Sequence, residues 1–237
     1  MRKDASKITK LKFAVLFSGG KDSTFSAYIA TSFGWDVKCL VTINPKNNLS
    51  NLFHSPNIDV TTCQAEAIGL PLIIQETSGE KDEELGDLFE AMKKAKKEHG
   101  INGLVVGALE SRDKYEKIGK ICDELKLKIF APLWQKDQAT ILKEMIDFGL
   151  DIRISSVAAD GLGEKWLGRK LDINAYNELM QLHHRLGINT AGDAGEYESL
   201  VMYCPNLFKK RLEIKKADSS MTSEFIGNFE IKEVEFV

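Results

Sequence analysis

Leu16-Phe17-Ser18-Gly19-Gly20-Lys21-Asp22-Ser23-Thr24 is the stretch from which this chain is best read. An apolar run, Phe13 to Phe17, leads into it. Phe25, Tyr28, Ile29 and Phe33 follow at helical spacing, and Gly34 closes the run. The predicted order is buried strand, glycine loop, helix. Two adjacent glycines let the backbone turn sharply and approach a ligand without Cβ clashes. Ser18, Ser23 and Thr24 supply hydroxyls, and the amides at the helix start carry roughly half a positive charge. Lys21, placed by this reading on an exposed loop, adds a full charge. Such a site wants an anion, most simply a phosphate chain.

The loop is not a Walker loop. Asp22 follows Gly20-Lys21, and Val15 stands where the first Walker glycine belongs. GxGxxG is absent as well. The stretch resembles the SGGxDS loop of the PP-loop ATP pyrophosphatases. That resemblance implies cleavage of ATP between its α and β phosphates and transfer of AMP to an acceptor. A merely structural turn capped by Asp22 or Ser23 would need neither two glycines nor the lysine.

Outward from the loop, apolar runs and breakers alternate. Strands are expected at Asp36 to Asn44, Pro71 to Gln75, Gly103 to Ala108 and Ile129 to Ala131. Helices are expected at Asp59 to Ile68, Glu80 to His99 and Arg112 to Leu125. This βα alternation predicts a doubly wound parallel sheet with ligands at the carboxyl ends of its strands. After Pro132-Leu133-Trp134 the pattern changes. A helix at Asp137 to Phe148, a strand at Leu150 to Val157 and a helix at Asn174 to Leu186 precede period-two alternation at Leu212-Glu213-Ile214 and Phe229 to Phe236. Turn signals stand at Asp218-Ser219-Ser220 and Gly227-Asn228, and this end reads as an antiparallel pair. The expected organisation is an α/β nucleotide half, residues 1–132, and a smaller α+β acceptor half, residues 133–237. The active site is expected in the crevice between them.

Composition narrows the function classes. A chain of 237 residues, 43% hydrophobic and 28% charged, matches a soluble globular protein. Net charge is −3, which argues against a general nucleic-acid surface. Cys39, Cys63, Cys122 and Cys204 form no CxxC pair, so a zinc ribbon or iron–sulfur site is not expected. The charged start Met1-Arg2-Lys3-Asp4 leads into no signal-like apolar segment, and no stretch reaches membrane-spanning length. A reducing cytoplasm is the expected compartment. Of the histidines, His54 lies in a polar loop near the ligand side, and His183-His184 read as structural, with His183 partly buried.

Thr190-Ala191-Gly192-Asp193-Ala194-Gly195-Glu196-Tyr197-Glu198-Ser199 packs three acids within six residues among small ones. Such acids can bind Mg²⁺, hold ammonium or take a proton. From composition alone, a solvated acidic turn is the simpler reading. Arg169, after Trp166-Leu167-Gly168, suits a phosphate or a carboxylate.

The glycine loop, Phe53-His54-Ser55-Pro56-Asn57, Val106-Gly107-Ala108, Pro132-Leu133-Trp134, Gly161-Leu162, Trp166-Leu167-Gly168-Arg169 and Gly195-Glu196-Tyr197-Glu198 occur in that order. Together they resemble the diphthine–ammonia ligase family, over residues 11 to about 210. The resemblance implies the last step of diphthamide synthesis. ATP adenylylates the diphthine carboxylate on translation elongation factor 2, and ammonia displaces AMP. It implies ATP and Mg²⁺ as cofactors, ammonium and the elongation factor as partners, and no membrane or nucleic acid. Oligomeric state is left open, self-association included. Ser18, Gly19, Gly20, Lys21, Asp22 and Ser23 correspond to the pyrophosphate loop. Thr42, His54 and Gly107 fall near the nucleotide, and Lys21, Asp22, Glu196 and Glu198 take the catalytic roles. Asp193-Ala194 and Asp113-Lys114 depart from the family pattern. A paralogue amidating another carboxylate, a PP-loop tRNA-modifying enzyme and a nucleotide sensor on the same fold are the competing readings.

Overall fold

The computed structural model describes residues 11–46, 57–79, 81–107 and 112–237. Strands β1 (Lys12–Leu16), β2 (Asp36–Pro45), β3 (Leu72–Thr77), β4 (Gly103–Val105) and β5 (Lys128–Phe130) form one parallel sheet in the order β3-β2-β1-β4-β5. The chain winds outward from β1 to β3 and then crosses back to β4. Its topological switch point therefore lies between β1 and β4, where this architecture opens a crevice at the strand ends.

Alternation along the strands fills both faces. Ala14, Cys39, Val41, Ile43 and Leu104 face α3 (Lys81–His99) and α4 (Arg112–Glu124), meeting Leu88, Met92, Ile118 and Cys122. Phe13, Val15, Phe17, Leu40 and Val105 face the other way, with α1 (Lys21–Ser32) and α2 (Ile58–Ile68). That second core runs on without interruption into the rest of the chain, taking in Leu133, Met145, Trp166 and Tyr197.

The remaining strands, β6 (Asp151–Ala158), β7 (Tyr197–Tyr203), β8 (Leu212–Met221) and β9 (Ile226–Phe236), make an antiparallel sheet in the order β7-β6-β9-β8. Helices α5 (Gln138–Phe148) and α6 (Ile173–Leu186) complete the chain. Asp137 and Asp172 cap them, accepting hydrogen bonds from the Thr140 and Ala175 amides.

The expected antiparallel pair is thus part of a four-stranded sheet. The two turn signals fail for a shared reason. Asp218, Ser219 and Ser220 lie inside β8 opposite Glu230, Phe229 and Asn228, and Gly227-Asn228 lies inside β9. On this solvent-facing ribbon small polar residues cost little, and the turn falls later, where Thr222 N donates to the Ile226 carbonyl. His183 is exposed rather than partly buried, although its Nδ1 lies 2.7 Å from the Ile188 carbonyl oxygen. Cys39, Cys122 and Cys204 are buried free thiols that burial pushes up to about 12, as core residues should be. No helix among the described residues is long and apolar enough to cross a membrane.

Candidate active site

The glycine loop leaves β1 at the switch point, and its shape depends on a distant strand. Gly19 takes φ +78°, a conformation that only glycine adopts cheaply. Its carbonyl accepts hydrogen bonds from Val201 N of β7 at 3.0 Å and from Gln64 Nε2 of α2 at 2.9 Å. The same Gln64 nitrogen donates to the Val201 carbonyl at 2.8 Å, so one buried amide clamps loop and strand together. Within the loop, Ser18 and Ser23 hydroxyls lie 3.2 Å apart, and Ser23 Oγ donates to the Gly20 carbonyl at 3.2 Å. Gly20 is the N-cap of α1 and brings no capping side chain, which leaves that helix start suited to an anion.

Lys21 is the first residue of α1 and only 4% exposed, not the exposed loop lysine expected from the sequence. Strand β7 covers it. Lys21 N donates to Ser199 Oγ at 3.3 Å, across 178 positions of sequence. Lys21 Nζ reaches Asp22 Oδ2 at 2.7 Å and stands 5.5 Å from the centre of the Tyr197 ring. Tyr197 is fixed in turn by its hydroxyl, which donates to the Thr190 carbonyl at 2.8 Å.

Charge gathers around this pair. Burial alone would lower the Lys21 ammonium, but Asp22, Tyr197 and Glu198 outweigh it and hold its affinity for the proton above the ordinary lysine value. Burial pushes Asp22 up, with Lys21 pulling it back and Asp193 adding to the rise. Burial also raises Glu198, against the pull of Lys21 and Lys114. Two lysines and three acids, from four parts of the fold, therefore share one electrostatic cluster. Asp22 Oδ1 is enclosed and accepts no hydrogen bond.

Gly107 follows β4 on the far side of the crevice. A Cβ there would lie 2.7 Å from Ser23 N and 2.8 Å from the Asp22 carbonyl carbon, so glycine is what allows the contact. Thr42 is buried and donates from Oγ1 to the Phe17 carbonyl at 2.7 Å, holding the end of β1. Glu196 accepts from Asn189 N at 2.8 Å and Ala194 N at 3.2 Å, which folds the glycine-rich loop back on itself. Glu198, two residues on, is a strand residue of β7. Arg169 meets a carboxylate within the chain, forming a two-pronged pair with Glu178 at 2.6 and 2.9 Å while lying over Trp166. His54 lies outside the described residues. Asn57, the last residue of its motif, bonds α2 to β9 through the Phe229 carbonyl and Ile231 N.

Among the described residues no three of His, Cys, Asp and Glu come together as a metal cage. Magnesium carried on phosphates needs only one or two carboxylates, and the unbonded Asp22 Oδ1 fits that requirement.

Family models for the diphthamide synthase N-terminal domain and C-terminal domain match residues 11–129 and 137–237. The chain belongs to the diphthamide synthase family. Relatives in this family are named diphthine–ammonia ligases. The Danio rerio protein is 32% identical over 228 residues, covering 88% of each chain. The human protein is 30% identical, covering 88% of this chain and 84% of its own. The Schizosaccharomyces pombe protein is 34% identical over 219 residues, and the match spans 36% of that longer chain. Among solved structures, a predicted subunit of tRNA methyltransferase from Methanocaldococcus jannaschii aligns with 84% of this chain and all of its own, at 18% identity and a TM-score of 0.44.

Sequence reasoning missed Gln64, which nothing nearby marks because its partners are remote. It quoted Ser199 within the acidic stretch and Lys114 as a departure from the family pattern, and gave neither a role at the site.

Proposed function

We propose that this member of the diphthamide synthase family is an AMP-forming diphthine–ammonia ligase acting on translation elongation factor 2. What supports the reading is the junction of the glycine loop with β7, where Lys21 N donates to Ser199 Oγ and buried Lys21 lies against Tyr197. Residues 1–132 would hold ATP, and residues 133–237 would present the acceptor.

A carboxylate resists ammonia because oxide is its leaving group. In the proposed first step a diphthine carboxylate oxygen attacks the α phosphorus, and the bond to pyrophosphate breaks. The loop amides, the uncapped start of α1 and Lys21 stabilise the charge gathering on pyrophosphate. Asp22 would hold magnesium, which would supply further charge neutralisation there. Ammonia nitrogen then attacks the acyl carbon, the carbon–oxygen bond to AMP breaks, and a proton leaves the nitrogen. Glu198, half-buried with its carboxyl raised, suits that proton. Glu196 positions the loop that carries Asp193.

The test is incubation of the protein with ATP, Mg²⁺, ammonium and diphthine-bearing elongation factor 2. Expected products are AMP, pyrophosphate and an amidated peptide by mass spectrometry. Formation of ADP, or AMP release that ignores ammonium and acceptor, would refute the assignment.

A further inference from the structure

Strand β7 is an edge of its sheet, and every second residue at its start meets the glycine loop. The Tyr197 ring stands 5.5 Å from Lys21 Nζ, Ser199 Oγ accepts from Lys21 N at 3.3 Å, and Val201 N donates to the Gly19 carbonyl at 3.0 Å. The middle contact differs from the other two, because it touches an amide that an anion would use. Lys21 is the first residue of α1, and Gly20 before it brings no capping side chain. A hydroxyl from a remote strand therefore stands at the open start of the helix. It cannot draw back. Val201 and Gln64 hold the strand to Gly19, and the Ser199 carbonyl oxygen lies 3.1 Å from where a Cβ on Gly20 would be.

Ser199 is only 8% exposed. Its oxygen accepts from Lys21 N, and its own proton goes to no acceptor among the described residues. A buried donor without an acceptor is costly, so the hydroxyl is short of one partner. At 3.3 Å the bond from Lys21 N is long for N–H···O, and that amide can be shared with a charged oxygen. The hydroxyl hydrogen is free to rotate towards the same oxygen. We propose that Ser199 is a phosphate-binding residue supplied by the antiparallel sheet: a phosphate oxygen takes the Lys21 amide and receives the Ser199 O–H together. Such an O–H···O⁻ bond is about twice as strong as a neutral one, so the serine contributes most when phosphate is present. The proposal rests on reading the glycine loop as a phosphate site. It does not depend on the acceptor or on ammonia.

The experiment is calorimetric titration of the full chain with inorganic pyrophosphate and with ATP, as wild type, S199A, S199C and S199T. S199A, and S199C with its weak thiol donor, should bind both ligands about tenfold less tightly. S199T keeps the hydroxyl and should stay close to wild type. Hydrogen exchange at the Val201 amide should be the same in S199A as in wild type, since the clamp on Gly19 does not use the serine side chain. A serine that only caps α1 until phosphate displaces it would have the opposite signature. S199A would then bind as tightly as wild type or more tightly, and that result overturns the proposal. Weaker binding together with faster exchange at Val201 would trace the loss to a slack loop and overturns it too. Wild type that binds neither ligand removes the phosphate site and this proposal with it. Serine-dependent binding without any amide product supports the proposal and counts against the ligase reading alone.

Discussion

Replacing Lys21 with Met keeps the methylene stem and deletes only the charge. Asp22 and Glu198 would then lie in the cluster without their nearest cation, Asp22 having lost a 2.7 Å partner that is 5% exposed. Removing one member of a buried pair costs roughly 3–5 kcal/mol. Asp22 is 24% exposed, so the low end applies, about 3 kcal/mol at pH 8. For a chain of this length that lowers Tm by about 6–10 °C. The penalty should depend on pH with a definite sign. Burial already raises Asp22 and Glu198, and loss of Lys21 raises both further. The folded variant therefore binds more protons than its unfolded chain, and its stability falls as pH rises through the raised values. Urea denaturation should show the gap to wild type shrinking to about 1 kcal/mol at pH 5. Turnover should fall roughly 10²- to 10³-fold from loss of charge at the departing pyrophosphate. A loss within about 0.5 kcal/mol at every pH is the behaviour of an exposed lysine. That result, or near-normal AMP release, would refute the buried-pair reasoning.

The other perturbations are as specific. Gly107→Ala should push the start of α1 by several tenths of an ångström, since its Cβ meets backbone at 2.7 Å. The expected cost is about 1–3 kcal/mol in denaturation and roughly 10²-fold in kcat, and wild-type values for both would mean the approach is looser than drawn. Glu198→Gln should keep ATP affinity by calorimetry while amide formation drops sharply, and a Mg²⁺-dependent loss of affinity would move Glu198 to the nucleotide side. Glu196→Gln should instead cost about 1–2 kcal/mol, because its carboxylate accepts two backbone amides, and unchanged stability would remove its role in holding the loop. Hydrogen bonding from Arg169 holds Glu178 down at about 2. Its stabilisation is present above the ordinary glutamate value and is lost as pH falls towards 2. Solvent limits it to about 1 kcal/mol. The gap between wild type and Glu178→Gln should close progressively between pH 5 and about 2, and a constant gap would contradict the pairing.

Much of this was legible because it is local. The unbroken apolar run from Phe13 to Phe17 marked the strand, and Gly19, Gly20 and Lys21 marked the loop after it. Helix ends followed from Asp137 and Gly69, whose conformations need only their neighbours. What stayed hidden is what comes from far away. Lys21 reads as exposed until β7 covers it, and the pattern around Gly192 and Gly195 disguises that Glu198 already stands on a strand. Gln64 is an unremarkable helix residue until Gly19 and Val201 meet on either side of it. The β8–β9 ribbon failed for the opposite reason, since both its faces are wet enough for turn residues to persist as strand.

The clamp on the Gly19 carbonyl also governs when the chain becomes competent. Its donors, Gln64 and Val201, stand on α2 and β7, so the loop is unfinished until the last third of the chain has docked. A ribosome-bound fragment ending before β7 has the loop's sequence but not its shape, and would leave ATP alone. The Val201 amide should accordingly exchange its proton with solvent only through global opening, at the slowest rate in the molecule. On the proposed activity, the order of folding would keep an unfinished chain from cleaving nucleotide.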